Sequence, residues 1–197
     1  VRVFHDLMKR ELSLHDIIVL GVVNDVHPEG VFNPESLKKI YDLAKFAGTL
    51  NWTDKDHTDD LEGVIEVDII APSTVDNIEQ GGPGVVKIEW LMPSPPTTVE
   101  EALSVRHKAE RIPFLEGTVL SEDGKAIAPY LPITSKDISY KISNMLKEKI
   151  ASFSGDERYF ITGLPVAEDT FGVEMFIQMA ISAPVAMLVI FLLMYFF

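Results

Sequence analysis

The densest group of side chains able to do chemistry is an acidic segment formed by Asp54, Asp56, His57, Asp59, Asp60 and Glu62. Clustered carboxylate oxygens are the ligands that calcium prefers in proteins. The spacing does not fit an EF-hand loop, because the sixth position is not glycine and Ile65 stands where the bidentate glutamate belongs. The sequence therefore favours a solvated acidic loop over a dedicated metal site.

The other reactive residue types form no catalytic or cofactor-binding motif. No two of the five histidines stand four residues apart on one helix, as a zinc-binding pair would. The stretch Gly81–Gly84 contains a proline and lacks the Gly-Lys-Ser/Thr ending of a phosphate-binding loop. A Gly-x-Ser-x-Gly nucleophile elbow does not occur. We therefore expect a protein that is not an enzyme and holds neither a cofactor nor a metal.

Three residues interrupt a long apolar tract near the C-terminus, namely Gln178, Ser182 and Pro184. Polar side chains at membrane depth usually hydrogen-bond to neighbouring helices. A proline there kinks the helix or leaves a backbone carbonyl free, although an ordinary span tolerates it equally well. Gln178 has little reason to face lipid, so it indicates partner helices.

The tract itself predicts a transmembrane helix over 174–197. From Met175 to Phe197 there is no Asp, Glu, Lys, Arg or His. A helix needs about 20 mostly apolar residues to cross the hydrocarbon core, and this tract has enough. A buried core helix is the alternative, but such helices are usually shorter and keep a polar face.

Charge and composition limit what the remaining residues can bind. The chain has 197 residues, a formal net charge of −13 and no cysteine, and every charged residue precedes the apolar tract. An acidic surface argues against nucleic acid, and the absence of polybasic clusters argues against docking on anionic lipid. The lack of cysteine fits an oxidising compartment but excludes no other.

The elements that must position these residues follow from apolar periodicity and capping signals. We expect a lead-in helix over 1–14, a domain over 15–170 and an irregular insertion at about 71–116. Without the insertion, the predicted order is strand, helix, strand, strand, helix, strand. That order predicts a ferredoxin-like split βαβ fold, in which an antiparallel sheet carries both helices on one face. The predicted elements are strand 17–23, helix 34–48, strand 64–70, helix 98–110, a hairpin around Asp123–Gly124, a helix from about Thr134 to Ile150, and strand 159–164.

Several motifs, taken in order, resemble one transporter family. They are His15–Val22, Phe32–Leu37, Thr74–Ile78, Leu120–Lys125 and Ile161–Val166, followed by the apolar tract. In this order the chain resembles the first large extracytoplasmic loop and the start of the second transmembrane helix of a resistance–nodulation–division (RND) exporter. The branch it resembles is that of the hydrophobe, amphiphile and lipid exporters called MMPL-type. Each motif alone is weak, and their order and spacing carry the resemblance.

The resemblance implies a ferredoxin-like porter domain on the periplasmic side of the inner membrane. It implies export of hydrophobic, amphiphilic or lipid-like compounds, driven by the proton gradient. The implied partners are the membrane, the remaining transmembrane helices and second porter loop of the same polypeptide, and further copies in a homo-oligomer. The coupling carboxylates of such pumps lie in later helices, so the chain would be a fragment unable to transport alone. Candidates for a substrate path are Trp52, Trp90 and Phe114, which ordinary core packing explains equally well.

The sequence is also compatible with two other classes of membrane protein. One is an extracytoplasmic binding or sensing module anchored by a single C-terminal span. The other is a protein-translocation or sterol-sensing type of membrane protein, which shares the arrangement of domain and helix. The sequence also leaves open which half of an exporter the loop would come from, although we favour the first.

The predicted boundary can be tested by truncation. A chain ending after Asp169 lacks the apolar tract, so we expect it to be monodisperse in solution without detergent. Size-exclusion chromatography of the two chains, each with and without detergent, provides the measurement. A truncated chain that still needs detergent would show that the boundary is misplaced.

Overall fold

The computed structural model describes residues 8, 11–12, 14–53 and 61–196. The predicted lead-in helix over 1–14 therefore lies largely outside the described residues. So do Phe197 and the segment 54–60, which contains all of the acidic cluster except Glu62, so the expected solvated loop stays a prediction.

The central sheet is built around β1 (Asp16–Val23). Strand β8 (Arg158–Thr162) pairs with one edge of β1, while β6 (Ala126–Ile127) and β7 (Tyr130–Ile133) pair with the other, all antiparallel. Alternate residues of β1 are fully buried, and Ile17 on the opposite face is 38% exposed. The hydrophobic core therefore lies on one face of this sheet.

Three helices bury their apolar stripes in that core: α1 (Pro34–Gly48), α2 (Val99–Glu110) and α3 (Ser139–Ala151). Helix α1 begins as predicted, because the Asn33 side chain accepts the Ser36 N–H and Pro34 fits the first turn. Helix α2 begins with the predicted capping box of Thr98 and Glu101. The buried side chains that join the three helices to β1 include Ile18, Leu20, Leu37, Ile40, Ala102, Val105, Ile142 and Leu146.

The predicted strand over 64–70 is wrong. Only its two ends pair with β7, through isolated bridges of Val64 with Ile133 and of Ile70 with Tyr130. The stretch between the bridges has more residues than the part of β7 it spans. The surplus forms a 3₁₀ helix at Glu66–Asp68, and it lifts Val67 into solvent with 89% exposure. Alternation of apolar and acidic residues was therefore a misleading strand signal here.

The insertion is more regular than the sequence suggested. It contains a hairpin of β4 (Asp76–Gly82) and β5 (Val85–Trp90) and then α2. The glycine-rich stretch interpreted as irregular is the turn of this hairpin, where Gly82 and Gly84 adopt positive φ. A smaller pair, β2 (Asn51–Thr53) and β3 (Leu61–Gly63), flanks the acidic segment. The described chain is thus a mixed α and β structure with antiparallel sheets, and it ends in a long apolar helix.

A buried polar network joins the start of β8 to the N-terminal turns of α1. The Glu157 carboxylate, with its side chain 4% exposed, lies 2.7 Å from Lys39 Nζ and accepts the Ser36 hydroxyl at 2.7 Å. The Ser36 hydroxyl in turn accepts from Asn24 at 3.1 Å and from Asn33 at 2.9 Å. The network joins the end of β1, the cap of α1 and the start of β8. Because apolar packing has no directional preference, these hydrogen bonds help to fix how the three elements are arranged.

The network fixes the charge state of Glu157. Burial raises the pKa of this carboxyl, but the hydrogen bonds from Lys39 and Ser36 outweigh that effect, so its pKa is lowered overall. A carboxyl with a lowered folded-state pKa stabilises the fold above its unfolded-state pKa, and that contribution is lost as the pH falls through the folded-state pKa.

We therefore predict that Glu157→Gln, which removes the carboxylate charge facing Lys39, lowers the free energy of unfolding at pH 7 by about 1–3 kcal/mol. Urea unfolding of the chain in detergent micelles, followed by tryptophan fluorescence, gives the value. The difference from wild type should shrink as the pH falls through the lowered pKa of Glu157, because the wild-type carboxyl then loses its charge too. Glu110→Gln, which affects only the surface contacts of Glu110 with Arg106 and His107, is the control, and its cost at pH 7 should stay below about 0.5 kcal/mol. Equal costs for the two variants would contradict the role assigned to the network.

Candidate functional site

The sheet runs directly into the long C-terminal helix α4 (Leu164–Phe196) through one glycine. Gly163 follows β8 with φ +132°, and a Cβ on it would lie 2.5 Å from the Ile17 carbonyl oxygen. A side chain is therefore excluded both by the backbone conformation and by the neighbouring strand. The glycine brings the first turn of α4 against the start of β1.

An aspartate on α4 caps a different helix. The N-terminus of α3 has no side-chain cap of its own. Asp169 Oδ2 instead accepts the Tyr140 N–H at 2.8 Å and lies 3.2 Å from the Ser139 hydroxyl. The fully buried Ser139 hydroxyl also donates to the Pro165 carbonyl at 2.8 Å. A carboxylate at a helix N-terminus is stabilised by free N–H groups and by the helix dipole, so these bonds hold α4 to the domain.

A cleft of about 370 Å³ lies beside this junction. An exposed ion pair between Lys136 and Glu168, 3.3 Å apart, lies on its wall, and Gly172 and Phe176 extend the lining along α4. Charged groups line the part near the domain, and an aromatic ring lines the part near the apolar tract. Among the described residues, no three acidic or histidine side chains form a group that could hold a metal.

Helix α4 is long and apolar enough to cross a membrane. It has 33 residues, its most apolar window has a mean hydropathy of 2.3, and none of that window is buried against the described chain. The helix begins at Leu164 rather than at the predicted residue 174, so the junction and the apolar tract belong to one continuous helix. Met175 is the first residue of the uncharged part.

The polar features of the apolar tract lie on two sides of α4. Gln178 and Ser182 are one turn apart and share a face. Pro184 lies inside the helix and cannot bond to the carbonyl of Ala180, one turn earlier. At about 100° per residue, this carbonyl lies nearly opposite Gln178. Both sides of the helix thus offer groups that need hydrogen-bond partners.

The three candidate residues for a substrate path do not form one site. Phe114 is 58% exposed and lines a groove of about 490 Å³ on the outward side of the sheet. Trp52 lies elsewhere, where its Nε1 donates to Glu62 at 3.3 Å and Lys141 Nζ sits 3.4 Å from its ring centroid. Trp90 is half exposed on β5. Their contact with a substrate stays a prediction, and the groove makes Phe114 the best placed. The groove's apolar lining includes Leu14, Ile17, Val67, Ile70, Phe114 and Pro132.

Two features escaped the sequence interpretation. The bonds from Asp169 to α3 have no local signal, because donor and acceptor are about thirty residues apart. The β4–β5 hairpin did have a signal, since Ile78 and then Val86, Ile88 and Trp90 alternate with polar residues on either side of the glycines. The glycines and prolines of the same segment favoured an irregular loop, and this signal outweighed the alternation.

Scans against protein-family models, curated proteins and solved structures find no match to this chain. The resemblance to RND exporters therefore rests on the motifs and their order.

The capping role of Asp169 can be tested by substitution, with the neighbouring residue Glu168 as the control. Asp169→Ala removes the cap of α3, so we expect it to lower the free energy of unfolding by about 1–2 kcal/mol. Hydrogen exchange at the Tyr140 amide should accelerate in the same variant. Glu168→Ala removes only an exposed ion pair, so its cost should stay below about 1 kcal/mol and Tyr140 exchange should not change. Unchanged Tyr140 exchange in Asp169→Ala would count against the capping role.

Proposed function

We propose that this chain is the extracytoplasmic substrate-handling domain, with its adjoining span, of a proton-driven exporter of the RND type. The substrates would be hydrophobic, amphiphilic or lipid-like compounds. The chain would act together with further transmembrane helices and a second porter loop of the same polypeptide. One observation carries the proposal. Strand β8 of the domain continues directly into α4, an apolar helix that the domain does not cover, and Asp169 of α4 is hydrogen-bonded back to the domain.

The order of the paired segments supports a ferredoxin-like assignment. Across the sheet the order is β8, β1, then β6 with β7, and last the two bridging ends of segment 64–70. Numbering these as the four strands of a split βαβ unit gives the order 4-1-3-2 with antiparallel neighbours. That is the arrangement in which α1 and α3 connect alternate strands over one face. The interrupted second strand is the departure from an ideal fold of this kind.

The polarity of α4 supports a helix bundle over a single anchor. A lone span would leave both Gln178 and the Ala180 carbonyl without hydrogen-bond partners in hydrocarbon, which costs free energy. Helical neighbours on both sides would supply partners to each. An anchored binding module gives no reason for polar groups on two opposite faces, which is why we prefer the exporter.

The junction supports a mechanical role for the connection between domain and span. Asp169 and Gly163 hold the start of α4 against α3 and β1, so a tilt or rotation of α4 would be passed to the sheet. In an exporter, such a linkage would couple proton-driven helix movement to the groove that contains Phe114. The groove is mainly apolar, with His15, Asp68 and Thr74 as its polar members, and Ile17 in its lining adjoins Gly163. This combination suits capture of an amphiphile near the membrane surface.

The proposal is tested with the full-length gene product in proteoliposomes, using Nile Red as the hydrophobic probe. An imposed proton gradient should drive movement of the probe between compartments, and a protonophore should abolish it. Phe114→Ser should raise the KM for Nile Red several-fold with kcat unchanged, because it removes apolar contact in the groove. Val26→Ser, an exposed apolar substitution at the opposite end of β1, is the control and should leave KM unchanged.

Two results separate the proposal from its alternative. Binding of Nile Red without movement under gradients of either polarity would favour the anchored binding module and reject the exporter. Gradient-driven movement in which Phe114→Ser and Val26→Ser behave alike would keep the exporter but reject the groove as its binding site.

A further inference from the structure

The β4–β5 hairpin has its polar and apolar faces reversed. Ile78, Val86, Ile88 and Trp90 share one face, because Ile78 opposes Ile88 in the ladder and the others alternate with it. The polar residues Asp76 and Gln80 lie on the same face, at the two ends of its β4 side. This face is open to solvent, with Ile78 67% and Ile88 66% exposed. A sheet in water usually turns its apolar face inward. A contiguous apolar face kept outward therefore marks an interaction surface.

The other face explains how the hairpin is held in this orientation. Glu89 pairs with Lys108 of α2 at 3.0 Å, and Glu79 pairs with Arg111 at the end of α2. Lys87 lies on the same face, 2.7 Å from Glu89. Ion pairs thus fasten the polar face to α2, and the apolar face is left pointing away from the domain.

The hairpin also has an edge that can pair. Within the described residues, β4 and β5 form a sheet of two strands, so the outer edge of β5 has no strand partner. A flat, apolar edge strand with free backbone groups is a template for another strand. The surface therefore offers backbone hydrogen bonds as well as apolar contact.

We propose that a second copy of this chain occupies the surface, and that β5 pairs antiparallel with β5 of that copy about a two-fold axis through Ile88. The two hairpins would then form one four-stranded sheet. The two apolar faces would merge into a single strip on one side of it.

Charge and register select this arrangement. Side chains alternate between the two faces of a strand, so the register decides whether the two apolar faces meet. They lie on the same side of the joined sheet only when the two-fold axis passes through a residue, which then lies opposite its own copy. A two-fold axis through Lys87 or Glu89 would place like charges directly opposite each other. The axis through Ile88 instead places Lys87 opposite Glu89 of the second copy, and Val86 opposite Trp90. Opposite charges and apolar pairs across strands are both stabilising.

The edge of β4 fits a second copy less well. An axis through Ile78 makes no ion pair, and an axis through Glu79 opposes like charges. The bulge between Gln80 and Gly82 further shortens that edge. The strand pair on β5 is smaller than the roughly 1,200 Å² that stable soluble dimers bury. Confinement of both copies in one membrane by α4 would raise their effective concentration and offset this small area.

The test uses single-cysteine variants of the full chain in membranes, which is straightforward because the chain has no cysteine. Ile88→Cys places the two thiols at the axis, so oxidation with copper phenanthroline should give a disulfide-linked dimer. Ile78→Cys is the matched control, equally exposed and directly across the hairpin. Its copies would be separated by three strand spacings, about 14 Å, which is beyond disulfide range. We expect cross-linking of Ile88→Cys to be at least tenfold faster than that of Ile78→Cys.

A charge exchange provides a second readout. In the Ile88→Cys background, Lys87→Glu should slow cross-linking at least fivefold, because it opposes two acidic side chains. Adding Glu89→Lys, together with Lys108→Glu to keep the ion pair between β5 and α2, should restore the rate, since opposite charges return in exchanged positions. Circular dichroism would establish that each variant is folded.

Three results would overturn the proposal: equal rates for the two cysteine positions, no dimer from Ile88→Cys, or no rescue by the charge exchange that keeps the pair with α2. The first would indicate random collision, and the second would assign the surface to a different protein. None of these results bears on gradient-driven movement of Nile Red, so the dimer and the exporter can fail separately.

Discussion

An uncovered apolar helix is stable only in an apolar solvent, and this constraint governs the whole chain. No part of the most apolar window of α4 is buried by the domain. The helix is long and apolar enough to cross a membrane, and in a membrane its attachment to the domain would determine how the domain is oriented at the surface. The backbone turn at Gly163 and the cap that Asp169 gives to α3 provide that attachment at two separate points. With two points of contact, α4 is restrained in rotation as well as in position.

The domain is held together by a different kind of interaction from the one that anchors it. Its core is apolar and lies on one face of the central sheet, as hydrophobic burial alone would produce. Apolar packing is non-directional, so the arrangement of β1, α1 and β8 is fixed further by the buried network around Glu157. Lys39 and Ser36 satisfy that carboxylate, which lets a charge remain inside the domain.

The apolar groups left outside the core are not scattered evenly. One set lines the groove that contains Phe114, and another forms the outward face of the β4–β5 hairpin. The first is concave and adjoins the start of α4, which suits a small hydrophobic ligand. The second is a strand edge with alternating apolar residues, which suits another strand. Because their shapes differ, we propose a ligand for the first and a second copy of the chain for the second.

Elements whose signals are local were predictable from the sequence. Strand β1, the capped starts of α1 and α2, strand β8 and the apolar tract each follow from neighbouring residues, because burial periodicity and capping act over a few positions. Segment 64–70 was not predictable, since its alternation fits a strand and only the length of β7 opposite it forces the 3₁₀ turn. The lining of the groove and the separation of Trp52, Trp90 and Phe114 likewise depend on how distant segments pack.

The sequence by itself determined that this chain carries an acidic domain and one apolar helix, because charge and hydropathy are sums over residues and need no coordinates. Only the tertiary structure decided that Asp169 caps α3 and that the hairpin turns its apolar face outward. Both depend on contacts between segments far apart in the chain, and no local pattern encodes which distant donor or cation a carboxylate will meet.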